Sequence, residues 1–309
     1  MNDPFRIEGP AIINVSGGRT SALMLRRVLD AHGGALPDGV VAAFANTGDE
    51  HPKTYDFVRA LTDRWGVPIV WLERDGKAPA GRRFRVVDYD TASRDAGPFR
   101  ELIRERRYLP NAVTRFCSQS LKIETARDFM RSLGHEHWTS AIGLRADEAA
   151  RVAKHRERNE SEDEFTSVYP LHAAGTTKPH VTKFWKVQPF DLGLEWWESN
   201  CRMCFQKGAS ILERTERDAP GSLAWAAEEE ARLRATFTKG RRYLTIIERA
   251  SRPMLPGLDV DPEGVVLPCS CTDRRPPRWR CICGTHRNRF ERGHTLLCTL
   301  ARDEARRDA

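Results

Sequence analysis

A chain of 309 residues with 40% hydrophobic content can bury a sizeable core without disulfide support, on a length that allows one large or two small domains. The net charge of +7 is modest, no apolar run approaches a membrane span, and the N-terminal MNDPFRIEGP lacks the basic-then-apolar layout of a signal peptide. These features set aside a membrane protein and a secreted disulfide scaffold, and the expected location is the cytoplasm. Eight cysteines in that compartment, grouped in close pairs, point to metal or redox chemistry.

In chain order, residues 12–15 form a short apolar strand that runs into Ser16-Gly17-Gly18-Arg19-Thr20-Ser21 and a helix from Thr20. Two glycines let the backbone curl round an anion, the hydroxyls of Ser16, Thr20 and Ser21 add donors, and the free amides of the helix aim partial positive charge at the same point. The lysine of a Walker loop is missing after the second glycine, which removes a P-loop kinase or GTPase. An ordinary strand-to-helix turn is the competing reading of this segment alone. A second apolar run, 40–45, ends in Asn46-Thr47-Gly48-Asp49-Glu50-His51-Pro52 ahead of a helix over about 53–65. Further elements are a strand at 68–72, a helix at 122–133 and a strand at 138–142.

Residues 75–83 read as an exposed loop, and the polar stretch 151–163 as a mobile surface segment able to order over a ligand. Pro179 fits the first turn of a helix that leads towards Cys201-x-x-Cys204. Residues 219–237 read as one amphipathic packing helix. The alternation predicts an α/β fold with a doubly wound parallel sheet, whose polar loops gather at the carboxyl edge of the strands, where ligands bind. The expected division is a nucleotide-binding domain at 1–212 and a smaller helical, cysteine- and arginine-rich region at 213–309.

The pairing of SGGRTS with NTGDEHPKTYDFV resembles the PP-loop superfamily and, within it, the phosphoadenosine phosphosulfate (PAPS) reductase-like family. Three segments follow in the family's order: Thr114-Arg115-Phe116-Cys117-Ser118-Gln119-Ser120-Leu121-Lys122, Ile142-Gly143-Leu144-Arg145-Ala146-Asp147-Glu148, and Asn200-Cys201-Arg202-Met203-Cys204-Phe205-Gln206-Lys207-Gly208. The likeness spans roughly residues 10–210 and implies an adenine nucleotide alpha hydrolase-like sheet. It implies that Ser16, Gly17, Gly18, Arg19, Thr20 and Ser21 hold the phosphates of ATP or PAPS, with Arg19 adding a fork of donors. Asn46, Thr47 and Gly48 then lie near ribose and base, and Glu50 is a candidate for a magnesium ion or a substrate hydroxyl, a solvated carboxylate being the alternative. In the family's GxRxxE pattern, Gly143, Arg145 and Glu148 make a second clamp, for which a structural salt bridge is the competing account. Lys122 is placed to neutralise charge developing during substitution.

Cys117, Cys201 and Cys204 supply three thiolates, enough to hold three irons of a [4Fe-4S] cluster with the fourth open; zinc and free buried cysteines are the alternatives. The set resembles cluster-dependent PP-loop enzymes that adenylate a substrate oxygen and replace it with sulfur, although Phe116 stands where adenylylsulfate reductases double the cysteine. Two CxC pairs, Cys269 with Cys271 and Cys281 with Cys283, form a candidate second metal site with His286. The segment from Cys283 faintly resembles the terminal cysteine segment of PAPS reductases, with Ile282 in place of the glutamate. The surrounding arginines suit a nucleic-acid partner or a merely solvated surface. Three functions follow. The favoured one is ATP-dependent sulfur transfer to a nucleotide or nucleic acid, fed by a sulfur donor. The others are a reductase that releases sulfite from PAPS or adenylylsulfate, served by a thiol reductant protein, and a non-catalytic nucleotide- and nucleic-acid-binding protein.

Overall fold

The computed structural model describes residues 3–159, 164–195 and 197–252. Six strands, β1 (Ala11–Asn14), β2 (Val40–Asn46), β3 (Ile69–Arg74), β4 (Phe84–Val87), β5 (Trp138–Ile142) and β6 (Phe165–Val168), form one sheet in the order β4-β3-β2-β1-β5-β6. Every neighbouring pair is parallel except β3 with β4. Ala11 faces Val40 on one side and Thr139 on the other, and Asn14 faces Ala43 and Ile142, so β1, β2 and β5 end level. The chain leaves β1 towards β2 while β5 lies on β1's other side. This is the topological switch point at which ligands bind in open α/β sheets.

The helices are α1 (Arg19–Ala31), α2 (Pro52–Trp65), α3 (Gly97–Arg106), α4 (Phe116–Ser118), α5 (Thr125–Ser132), α6 (Ala149–Asn159), α7 (Pro170–Ala173), α8 (Lys178–Lys186), α9 (Ala209–Asp218), α10 (Ala224–Leu233) and α11 (Tyr243–Ala250). Helices α1, α2 and α8 cover one face of the sheet, burying Met24, Leu25, Val58, Leu61 and Trp185 against Ile13 and Phe44. Phe129 and Met130 of α5 cover the other, against Ile12, Ala43 and Leu72. Burial on both faces is why β1 and β2 read as nearly unbroken apolar runs. Helix α2 starts on Pro52 with the His51 ring accepting the Lys53 amide, and stops at Gly66 with φ 64°.

Three expected segments differ. The helix expected over 122–133 is a longer run in which α4 and α5 are joined by a π-helical stretch, Gln119–Glu124. There Thr125 Oγ1 donates to Ser120 O at 3.0 Å and fills the widened turn. The polar stretch 151–163 is largely helical: Val152 of α6 buries against Leu144 and Tyr169, and the His155 ring meets the Tyr169 hydroxyl at 2.9 Å. One apolar anchor suffices where a neighbouring strand supplies the partner; residues 160–163 lie outside the described residues. The single helix expected over 219–237 is broken. Pro220 and Gly221, the latter at φ 85°, separate α9 from α10, and Glu216 takes the Gly221 and Leu223 amides at 2.6 and 2.9 Å.

A second core joins α3 to the chain's later helices. Phe99, Leu102 and Ile103 pack with Met203, Phe205, Leu212, Trp225, Phe237, Tyr243 and Ile246. Among the described residues no helix is long and apolar enough to cross a membrane.

Candidate functional site

The loop after β1 is shaped by close approach. Gly17 has φ 73°, and a Cβ there would lie 2.4 Å from Thr54 Cγ2, so glycine is what lets the loop rest on α2. The Ser21 hydroxyl accepts the Ser16 amide at 3.0 Å, meets the Ser16 hydroxyl at 2.9 Å and donates to Gly18 O at 3.0 Å. A Cβ on Gly143, just past β5, would lie 3.0 Å from Ser21 Cα. No side chain caps the first amides of α1, which leaves them free for an anion. Arg145 reaches over from β5 to Thr20 Oγ1 at 3.3 Å, held by Asp147 Oδ1 at 2.9 Å and by Glu148, which lies 3.2 Å from the guanidinium. Arg19 turns away: Nε donates to Asp191 Oδ1 at 2.7 Å and a second bond completes a bidentate pair, so its fork is committed to a carboxylate outside the loop.

The loop after β2 turns inward. The Asn46 amide donates to Glu73 Oε1 at 2.7 Å and Ser93 O at 2.9 Å, and its oxygen accepts the Gly48 amide at 3.0 Å and the Tyr55 hydroxyl at 3.1 Å. With both donors and its acceptor engaged, Asn46 holds the loop in shape. Thr47 Oγ1 donates to Glu50 Oε1 at 3.0 Å, and Lys122 Nζ comes within 3.6 Å of the same oxygen. Glu50 is buried, contrary to the alternative of a solvated carboxylate, and its Oε2 has no hydrogen-bond partner among the described residues; nor does Thr54 Oγ1. The Glu50 charge holds the Lys122 ammonium above its ordinary range, against the opposing effect of burial.

The Cys-x-x-Cys turn is stitched across both loops. Asn200 donates to Ser16 O and accepts the His51 amide, Glu50 and Cys201 form an antiparallel bridge, and the Arg202 amide donates to Asp49 O at 3.0 Å. From behind, the Tyr243 hydroxyl donates to Met203 O, Arg241 to Lys207 O at 2.7 Å, and Thr238 Oγ1 to Phe205 O at 3.2 Å. Cys201 and Cys204 hydrogen-bond each other. That bond, helped by the Gln206 amide, Lys207 and Arg115 and opposed by burial, brings the Cys204 thiol down to about 6. The same bond, burial and the negative charges of Asp49 and Glu50 push the Cys201 thiol well above its usual value. The pair is therefore one thiolate, Cys204, and one thiol. Burial raises the Cys117 thiol, which lies within electrostatic reach of Cys204.

The three sulfurs expected together thus gather at one edge, beside Lys122. Among the described residues, however, no three His, Cys, Asp or Glu side chains are grouped to hold a metal ion. The expected metal set of Cys117, Cys201 and Cys204 is not formed, because the Cys201 proton lies between Cys204 and Asp49 in a dithiol arrangement. Cys269, Cys271, Cys281 and Cys283, with the arginines beyond residue 273, lie outside the described residues. Four participants escaped the sequence reading. Asp49 and Asn200 sat inside quoted motifs, where a carboxylate next to glycine and an amide next to cysteine were the available signals; Thr54 and Trp225 offered none.

The sheet order, the glycine loop leaving β1 and the polar loops ending level with it define an α/β protein of the PP-loop type. The model of the phosphoadenosine phosphosulfate reductase domain matches residues 10–190, and the chain belongs to that family. The nin region protein ORF290 of Escherichia phage lambda is 28% identical over 216 residues, covering 68% of this chain and 70% of its own length. Among solved structures, the phosphoadenylyl-sulfate (PAPS) reductase of Candida auris in its phosphate complex is similar over 60% of this chain and 79% of that one, at 13% identity and a TM-score of 0.37. The U34-tRNA thiolase NcsA of Methanococcus maripaludis, with its [4Fe-4S] cluster, is similar over 75% and 77% of the two chains, at 14% identity and a TM-score of 0.38.

Proposed function

We propose that the chain is an adenine-nucleotide-dependent enzyme of sulfur transfer. In this reading the phosphates of ATP lie on the free amides opening α1 and on the hydroxyls of Ser16, Thr20 and Ser21, with Arg145 closing on the anion from β5. An acceptor oxygen attacks the α-phosphorus, pyrophosphate leaves, and a sulfur nucleophile then displaces AMP. The observation that carries the reading is the bond from Asn200, the neighbour of Cys201, onto Ser16 O, which makes the thiol pair and the phosphate loop one structural unit. Cys204, a thiolate at neutral pH, is the sulfur ready to react.

A magnesium ion would enter with the phosphates, which suits an ion that keeps several waters; the Glu50 charge is already met by Lys122. The cysteines as arranged do not fit an iron–sulfur cluster or zinc, and no step runs through one. The acceptor class is a nucleotide or nucleic acid, with the arginines beyond residue 273 contacting its phosphates. The thiol pair itself favours a second reading, sulfite release from PAPS or adenylylsulfate. There Cys204 takes the sulfonate sulfur from the nucleotide, and Cys201 attacks Cys204 to expel sulfite and leave a disulfide.

The test is to incubate the full-length chain with ATP, sulfide and total cellular RNA or DNA, and separately with PAPS or adenylylsulfate and a dithiol reductant. Pyrophosphate and thiolated nucleosides, read by mass spectrometry and lost in Cys204→Ser, are the expected products. Sulfite in the second arm alone makes the chain a reductase, and nucleotide binding with neither product makes it a binding protein.

A further inference from the structure

Asp49 lies between two glycine-loop residues at the carboxyl edge of β2 and is fully excluded from solvent. A carboxylate so placed is tolerated only when its oxygens are met by donors. Oδ1 takes the indole N–H of Trp225 at 2.9 Å and faces the Arg202 guanidinium at 3.6 Å; Oδ2 takes the Met203 amide at 2.9 Å and the Cys201 thiol at 3.4 Å. Three of those donors belong to the turn that carries both cysteines. The fourth comes from α10, outside the β1 and β2 loops, and fixes the carboxylate from behind.

The Cys201 hydrogen therefore has two acceptors, Asp49 Oδ2 and the Cys204 sulfur. The other charged groups that act on this thiol are Glu50 and Lys122, which face each other, and Lys207. A carboxylate at hydrogen-bond distance opposes a second anion on Cys201, and the proton kept there serves the Cys204 thiolate. We infer that Asp49, held by Trp225, is a positioning residue that keeps Cys201 the protonated partner and so makes Cys204 the sulfur that reacts. This rests on the reading that the pair is the sulfur site.

The full-length chain is treated with limiting iodoacetamide at pH 7, and the partition of label between Cys201 and Cys204 is read by peptide mass spectrometry. ADP binding and the thermal midpoint are measured on the same samples. The expected wild-type label falls on Cys204. Asp49→Asn shifts the partition towards Cys201 by about tenfold, and Trp225→Phe, which keeps the ring and removes only the N–H, by about threefold, with ADP affinity within about twofold of wild type. An unchanged partition in Asp49→Asn, whatever the thermal midpoint, would reduce Asp49 to a structural role and overturn the inference. If that variant does not fold, an unchanged partition in Trp225→Phe overturns it equally. Absence of sulfur transfer by a wild-type chain with the expected partition would sink the proposed function and leave the assignment of Asp49 standing.

Discussion

The two walls of the site are held by opposite means. The wall built from β1, β5 and the start of α1 depends on the absence of side chains: Gly17 and Gly143 let backbone lie on Thr54 and Ser21 at distances that a Cβ forbids. The wall built from residues 198–207 depends on polar side chains brought from far away. Asp49, Trp225, Tyr243 and Arg241 pin the turn through bonds that cross from the sheet to the last helices. The first wall should therefore be brittle to added volume and indifferent to charge. The second should tolerate volume and respond to the loss of single donors or acceptors.

The sharpest way to break this contrast is Gly17→Val, where a backbone conformation costing ~1–3 kcal/mol for a branched residue adds to direct overlap with Thr54. ADP affinity, measured calorimetrically, should fall by about 100-fold or more. In Gly18→Ala, whose nearest neighbour would be 3.6 Å away, it should change only a few-fold. Equal tolerance at both positions would show that the loop is not the rigid wall. Gly143→Ala comes next: overpacking against the Ser21 backbone should cost ~1–3 kcal/mol in denaturant unfolding and weaken ADP binding with it.

On the second wall, the rate of Cys204 alkylation should rise through pH of about 6 and level off near neutrality. The sign follows from a lowered pKa: the thiolate is present above that pH and lost as the solution is acidified through it. Cys201→Ser should move the midpoint up, since the strongest stabilising bond is weakened; an unmoved midpoint would assign the thiolate to other causes. Tyr243→Phe removes one bond to Met203 O and should lower stability by ~1 kcal/mol without touching ADP affinity. The smallest effect is expected from Arg19→Gln. Its pair with Asp191 is about one-third exposed and contributes no more than ~1 kcal/mol, and ADP titration should show little change because the fork is not aimed at the loop.

Much of the first wall was legible in the sequence. The apolar runs at β1 and β2, the glycines after them and Pro52 with Gly66 around α2 each act within a few residues, so pattern and conformation coincide. The second wall was legible only as a list of cysteines. A helix was expected across Pro220 and Gly221 because hydrophobic spacing continued through them, and the polar run at α6 hid its one anchor, Val152.

Taken alone, the sequence determined the doubly wound sheet, the anion loop and the family, since strand periodicity, glycine conformation and motif order are written locally along the chain. Tertiary structure alone decided that Arg19 serves Asp191, that Asn46 is spent on its own loop, and that Cys201 and Cys204 stand as thiol and thiolate beside Asp49. The reason is physical: the partners of Asp49 lie 152 and 176 residues away, and only the packing of the second core against α3 brings their donors within hydrogen-bond reach.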